Sequence, residues 1–188
     1  MTTQTRPALL KEAEALIRTR GYSAFSYADL AERVGIRKAS IHHHFPTKEA
    51  LGAALVDEYL ERFLADLAAL RERELDTVGR LNAYGDFFAS GLKEGLMPLC
   101  GALASDVAFL PASMKVRVER FFRLHLDWLE DVLKEGVKAK DLRSDVKPQQ
   151  AARLILSVLQ GASLIGWALK EPGVVKPALK DAIASLTR

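Results

Sequence analysis

An all-α fold of about nine helices is what the sequence predicts, on three observations. Apolar residues recur at helical spacing through almost the whole chain. Nowhere do apolar and polar residues alternate over a β-branched run, so no strand is expected. Pro98, Pro111, Pro148 and Pro172 each stand where the first turn of a helix tolerates a missing amide, and they punctuate the later helices. The expected organisation is an N-terminal three-helix module over 1–47 and a C-terminal helical bundle over 48–188.

The first helix is expected over about 6–20, with Leu9, Ala13, Leu16 and Ile17 on one face. It stops at Gly21, because glycine accepts the left-handed conformation at a helix end. A short helix starts at Ser26, whose hydroxyl can cap the amide near Asp29 while the Asp29 carboxylate returns to Ser26. Leu30, Ala31 and Val34 supply its buried face, and Gly35 closes it. A third helix over about 38–45 is broken by Pro46-Thr47, and Thr47 caps a long fourth helix beginning at Lys48. Amphipathic helices follow near 48–71, 75–94, 98–109, 112–139, 148–170 and 173–186. No internal repeat and no low-complexity tract interrupts them.

Composition narrows the class. Hydrophobic residues make up 49% and charged residues 27%, the balance of a globular chain with a sizeable core. A single cysteine allows no intrachain disulfide and fits the reducing cytoplasm. The first residues hold no uninterrupted apolar segment, so no secretory signal is expected. The longest uncharged apolar stretch, 154–169, has 16 residues and contains Gln160 and two serines. That is shorter than the roughly 18 expected of a membrane span, so a buried helix is the simpler reading and no membrane partner is expected.

The charge is unevenly placed. Residues 1–50 carry eight Lys/Arg and five Asp/Glu, whereas the rest carry nineteen of each. The whole formal excess of +3 therefore lies in the first quarter, together with three of the four histidines. A localised basic surface suits a polyanion, because each neutralised phosphate releases counterions.

Residues 26–45 hold two short helices separated by Gly35-Ile36, which is helix-turn-helix spacing. Ile41 and Phe45 share one face of the second helix and are expected to pack on Leu30, Val34 and the first helix. Lys38, Ser40, His42, His43 and His44 then spread over the remaining surface, and Ala39 leaves room for a base or a thymine methyl. Three consecutive histidines invite a metal reading. Successive helical side chains point about 100° apart, however, so they cannot converge on one ion. No metal and no cofactor is expected, and a solvated polar face with one histidine packed inward competes with DNA contact.

Read together, Gly21-Tyr22, Ser26-Tyr27-Ala28-Asp29-Leu30-Ala31, Val34-Gly35-Ile36 and the run from Ile41-His42-His43-His44-Phe45-Pro46-Thr47-Lys48-Glu49-Ala50 to Leu51 resemble the TetR family of bacterial regulators. The specific motif covers about 8–55, and the length and helical remainder match in architecture. The resemblance implies a cytoplasmic transcriptional regulator, a repressor in most members, binding a palindromic operator as a homodimer. It places DNA contacts on Tyr27, Arg37, Lys38, Ala39, Ser40, His42, His43, His44 and Lys48. His43 stands where the family more often carries tyrosine. An imidazole donates to phosphate when protonated, so operator affinity is expected to rise at mildly acid pH.

The remaining helices would sense a small molecule and dimerise. The 148–170 helix is apolar on all faces between Leu154 and Leu169, so it must be covered all round, and Ser157, Gly161, Ala162 and Gly166 offer close approach. A purely intrachain core helix is one reading. The resemblance favours a four-helix bundle made by this helix and the 173–186 helix with their mates. For an effector, Phe121, Phe122, His125, Trp128, Leu129 and Val132 follow i, i+3, i+4 spacing, and Phe88 joins Phe121, His125 and Trp128 as a candidate pocket residue. His125 there is alternatively a satisfied core histidine. Cys100 is a candidate ligand or thiol-sensor residue, since a helix N-terminus can lower a thiol's pKa, and alternatively an inert buried cysteine.

No glycine-rich phosphate loop, nucleophile elbow or HExxH is present, so no enzyme is expected. A dimeric DNA-binding protein without an effector remains the rival.

Overall fold

The computed structural model describes residues 5–73 and 75–187; residues 1–4, 74 and 188 lie outside the described residues. Among the described residues there are nine α-helices, two 3-10 turns and no strand. The helices are α1 (Thr5–Arg20), α2 (Tyr27–Val34), α3 (Lys38–His44), α4 (Lys48–Glu72), α5 (Thr77–Lys93), α6 (Leu99–Ser105), α7 (Ala112–Ala139), α8 (Pro148–Leu169) and α9 (Val175–Ala184).

Two expected helices are shorter than read. The 98–109 helix ends as α6 at Ser105 and gives way to a 3-10 turn over Val107–Phe109. Its ladder tightens there, with the Asp106 amide donating to Leu103 and the Phe109 amide to Asp106. The 173–186 helix becomes a 3-10 turn over Pro172–Val174 followed by α9. Lys170 at φ +58 ends α8 in the left-handed region, so the chain needs that turn before it can resume a helix.

The chain folds as two compact units. Met1–Arg62 and Leu99–Arg120 form the first, and Phe63–Pro98 and Phe121–Arg188 the second. The long helices α4 and α7 contribute to both. The first unit is thus larger than the expected 1–47 module. Its core gathers Leu9 and Ile17 of α1, Leu30, Ile41, Leu51 of α4, Leu99 and Leu103 of α6, and Met114 of α7, all fully buried. Each such burial stabilises by about 1.5–3 kcal/mol. In the second unit α5, α8 and α9 pack around Leu81, Ile155, Leu159 and Val175.

Helix α8 extends beyond the uncharged stretch 154–169. Counted from Pro148 and across Arg153, the helix has 22 residues and is long and apolar enough, by length and composition only, to cross a membrane. Core helices pass the same test. One side of α8 is core, with Ala152, Ile155, Leu159, Ala162 and Ser163 buried.

Candidate nucleic-acid interface

The α2–turn–α3 segment is fixed by local chemistry. The Ser26 hydroxyl accepts from the amides of Ala28 and Asp29, and the Asp29 carboxylate accepts from the Ser26 amide at 2.8 Å, so the expected capping box is present. Gly35 closes α2 at φ +71, a conformation that strains any residue with a Cβ. On α3, Ile41 is fully buried and Phe45, just past its end, is nearly so. This leaves Arg37, Lys38, Ala39, Ser40, His42 and His43 exposed along one surface, with His44 half-buried beside them. Thr47 caps α4 by accepting from the Ala50 amide at 3.0 Å.

Two of the expected contact residues face inward instead. Tyr27 is only 6% exposed, and its hydroxyl donates to the Phe45 carbonyl at 2.9 Å, which ties α2 to the end of α3. Burial pushes its pKa up to about 12. Lys48 is half-buried. Its ammonium donates to the Phe25 carbonyl and lies over the rings of Tyr22 (4.6 Å) and Phe25 (4.3 Å). Burial lowers its pKa, against the opposing fields of Asp106 and Asp29. The reason is geometric: α4 begins against the α1–α2 turn, and the nearest acceptor is backbone. His42 is exposed but engaged, donating from Nδ1 to the Pro46 carbonyl at 3.1 Å and meeting the Tyr27 ring edge-on. Phe25 carries no expectation from the sequence and Tyr22 enters only through the family motif, although an aromatic pair before a helix cap could have suggested a cation seat.

In the second unit, His125, Phe121, Phe88 and Trp128 do come together, joined by Tyr84 and Phe63 from α5 and α4. The imidazole stacks on Phe63 at 4.1 Å and leans on Phe121 at 4.1 Å, while Trp128 stacks on Tyr84 at 5.1 Å. The Tyr84 hydroxyl and His125 Nδ1 are hydrogen-bonded. His125 Nε2 and Trp128 Nε1 are buried without a partner. Burial holds the imidazole neutral, with a pKa lowered to about 3. Cys100 belongs to the first unit. It is 1% exposed, and burial, with some help from Glu14, pushes its pKa well up. The expected lowering at a helix N-terminus is therefore corrected, because desolvation of a thiolate outweighs the dipole of a seven-residue helix. Among the described residues no group of three or more His, Cys, Asp or Glu could hold a metal ion.

Opposite its core side, α8 exposes Leu154, Leu164, Ile165, Trp167 and Leu169. Of the apolar residues of α9, Val175, Leu179, Ala182 and Ile183 are instead buried, and its exposed positions are Lys176, Pro177, Lys180, Asp181 and Ala184.

Residues 9–55 match the family model described as bacterial regulatory proteins, tetR family. The chain is 32% identical to the HTH-type transcriptional repressor KstR2 of Rhodococcus jostii over 167 residues, which is 80% of this chain and 74% of that protein. It is 24% identical to the HTH-type transcriptional repressor DhaR of Mycobacterium sp. over 86% of this chain and 82% of that protein. A TetR-family transcriptional regulator from Agrobacterium tumefaciens has a similar structure, with a TM-score of 0.93 at 31% identity and 98% of each chain covered.

Proposed function

Given that the chain belongs to the TetR family of bacterial regulatory proteins, we propose that it is a homodimeric repressor released from a palindromic operator by a small effector. It is a helix-turn-helix DNA-binding regulator and not an enzyme. The observation that carries the operator reading is the capped α2–α3 pair with Arg37, Lys38, Ala39, Ser40, His42, His43 and His44 along its outer surface. Arg37 and Lys38 would meet phosphates and Ser40 a base edge, whereas Tyr27 and Lys48 would hold the helices in place. Operator binding places the protein with the chromosome, in the cytoplasm. Selection of bound duplexes from random DNA tests this reading. A palindromic consensus supports it, and enrichment of no sequence sinks it.

The exposed apolar side of α8 is the dimer surface in this reading, with α9 contributing its polar edge. The effector would bind at the cluster of Phe88, Phe121, His125 and Trp128. Two buried polar atoms without partners, Nε2 of His125 and Nε1 of Trp128, support that site, since such groups normally find one. With the imidazole neutral and aromatic rings all round, the effector is an uncharged aromatic molecule bearing a hydrogen-bond acceptor. The close ring packing favours the rival reading, a DNA-binding dimer with no effector. A panel of acetophenone, benzoate and benzylamine decides. Release from the selected duplex by acetophenone alone, lost in Trp128→Phe, supports the site, and release by none supports the rival.

A further inference from the structure

We propose that Asp106, at the end of α6, is a positioning residue for operator binding, acting through its hydrogen bond to the α1–α2 turn. Asp106 Oδ2 accepts from the Ser23 backbone amide at 3.0 Å, a tie between residues 83 apart in sequence and within one compact unit. The turn is shaped to receive it. Gly21 ends α1 at φ +88, and a Cβ at that position would stand 3.0 Å from Asp106 Oδ2 and 3.6 Å from its Cγ. Glycine thus suits the turn twice: it adopts the left-handed backbone, and it spares the carboxylate a close contact that a Cβ would make.

What lies beyond the turn gives the tie its consequence. Ser23 is two residues before Phe25, whose carbonyl receives the Lys48 ammonium, and three before Ser26, which caps α2. The Asp106 charge also acts on Lys48, favouring its protonated form. At the other end the Asp106 backbone is held by its own bonds, the amide to Leu103 and the carbonyl from Phe109, so the carboxylate is not on a free loop. Two further ties join the same stretch to α4: the Ser113 hydroxyl donates to Glu49, and Arg117 pairs with Asp57 at 2.9 Å. The start of α2, and through it the direction of α3, thus depends on a side chain in the segment between α6 and α7. This inference does not rest on the effector site.

The test compares Asp106→Ala with Asp106→Asn, using the duplex that wild-type protein selects from random DNA. Asparagine keeps an oxygen that can accept from Ser23 and removes the charge. Asp106→Ala is expected to weaken binding about tenfold, and Asp106→Asn by no more than about twofold, the difference one lost hydrogen bond to a charged group makes. Wild-type affinity in Asp106→Ala, or equal losses in both variants, would overturn the proposal. If Asp106→Ala fails to fold, amide hydrogen exchange on the wild-type protein decides. Slow exchange at Ser23 that persists in Asp106→Asn supports the tie, and exchange at the rate of a free amide in wild type refutes it.

Discussion

The Tyr27 hydroxyl shows how a side chain on the DNA-binding face can serve by turning away from DNA. Its bond to the Phe45 carbonyl, at 2.9 Å, fastens α2 to the end of α3. Tyr27→Phe should cost about 1–2 kcal/mol, because it leaves a buried carbonyl unpaired, measurable as a lowered urea midpoint. The salt dependence of operator binding should be unchanged, and a slope reduced by one would instead mean a lost phosphate contact. His125 makes a second residue-scale prediction. Its folded pKa is depressed to about 3 by burial, so its contribution to stability is fully present above the unfolded value near 6.5 and is lost as pH falls toward 3. Between pH 6.5 and 5 the loss should be about 2 kcal/mol, before most carboxylates titrate. Urea titrations across that window check it, and His125→Phe should remove the loss. A wild-type curve that stays flat there would show the imidazole is not buried.

At the scale of elements, the helices that stand closest to their expected bounds are those set by local chemistry. The Ser26 box, the Thr47 cap and the Pro148 start act within three or four residues, so the sequence alone displays them. The 98–109 helix ends early, at Ser105, where the ladder tightens into a 3-10 turn and Asp106 meets a turn 83 residues away, a contact that no local pattern displays. The same distance problem hid the partner of His125, since Tyr84 lies 41 residues upstream. For α8 the sequence showed apolarity on every side but not which side the chain itself would cover. Gly161 offers a test. A Cβ there would meet nothing within 4 Å, so the position is open in the single chain. It lies between Ser157 and Leu164 on the exposed side. Gly161→Leu should favour the helix by roughly 1 kcal/mol through propensity and yet wedge two α8 helices apart. Sedimentation should then find a monomer with undiminished helicity where wild-type protein is a dimer, and an unchanged dimer would move the interface off this face.

For the molecule as a whole, charge and symmetry make one joint prediction. The formal excess of +3 falls in residues 1–50, and the remaining 138 residues balance to zero. In the proposed operator reading, attraction to DNA is concentrated in this quarter, where Arg37 and Lys38 are exposed at the start of α3. The sequence made this legible because charge is a sum over residues and needs no geometry. Which cations are free to meet phosphate was not legible, because Lys48 looks equivalent to Lys38 until its ammonium is seen against the Phe25 carbonyl and two rings. Each phosphate contact contributes about 0.9 to the slope of log affinity against log salt. In a two-fold dimer every substitution is made twice, so Lys38→Ala should lower the slope by nearly two, against about one for a monomeric binder. Lys48→Ala should weaken binding at every salt concentration through misplacement of α2 while changing the slope by less than one. Fluorescence anisotropy on the selected duplex between about 50 and 200 mM salt measures both. Equal slope changes for the two lysines would show that Lys48 leaves its carbonyl to meet phosphate in the complex. A change near one for Lys38 would refute the paired arrangement of recognition helices on the operator.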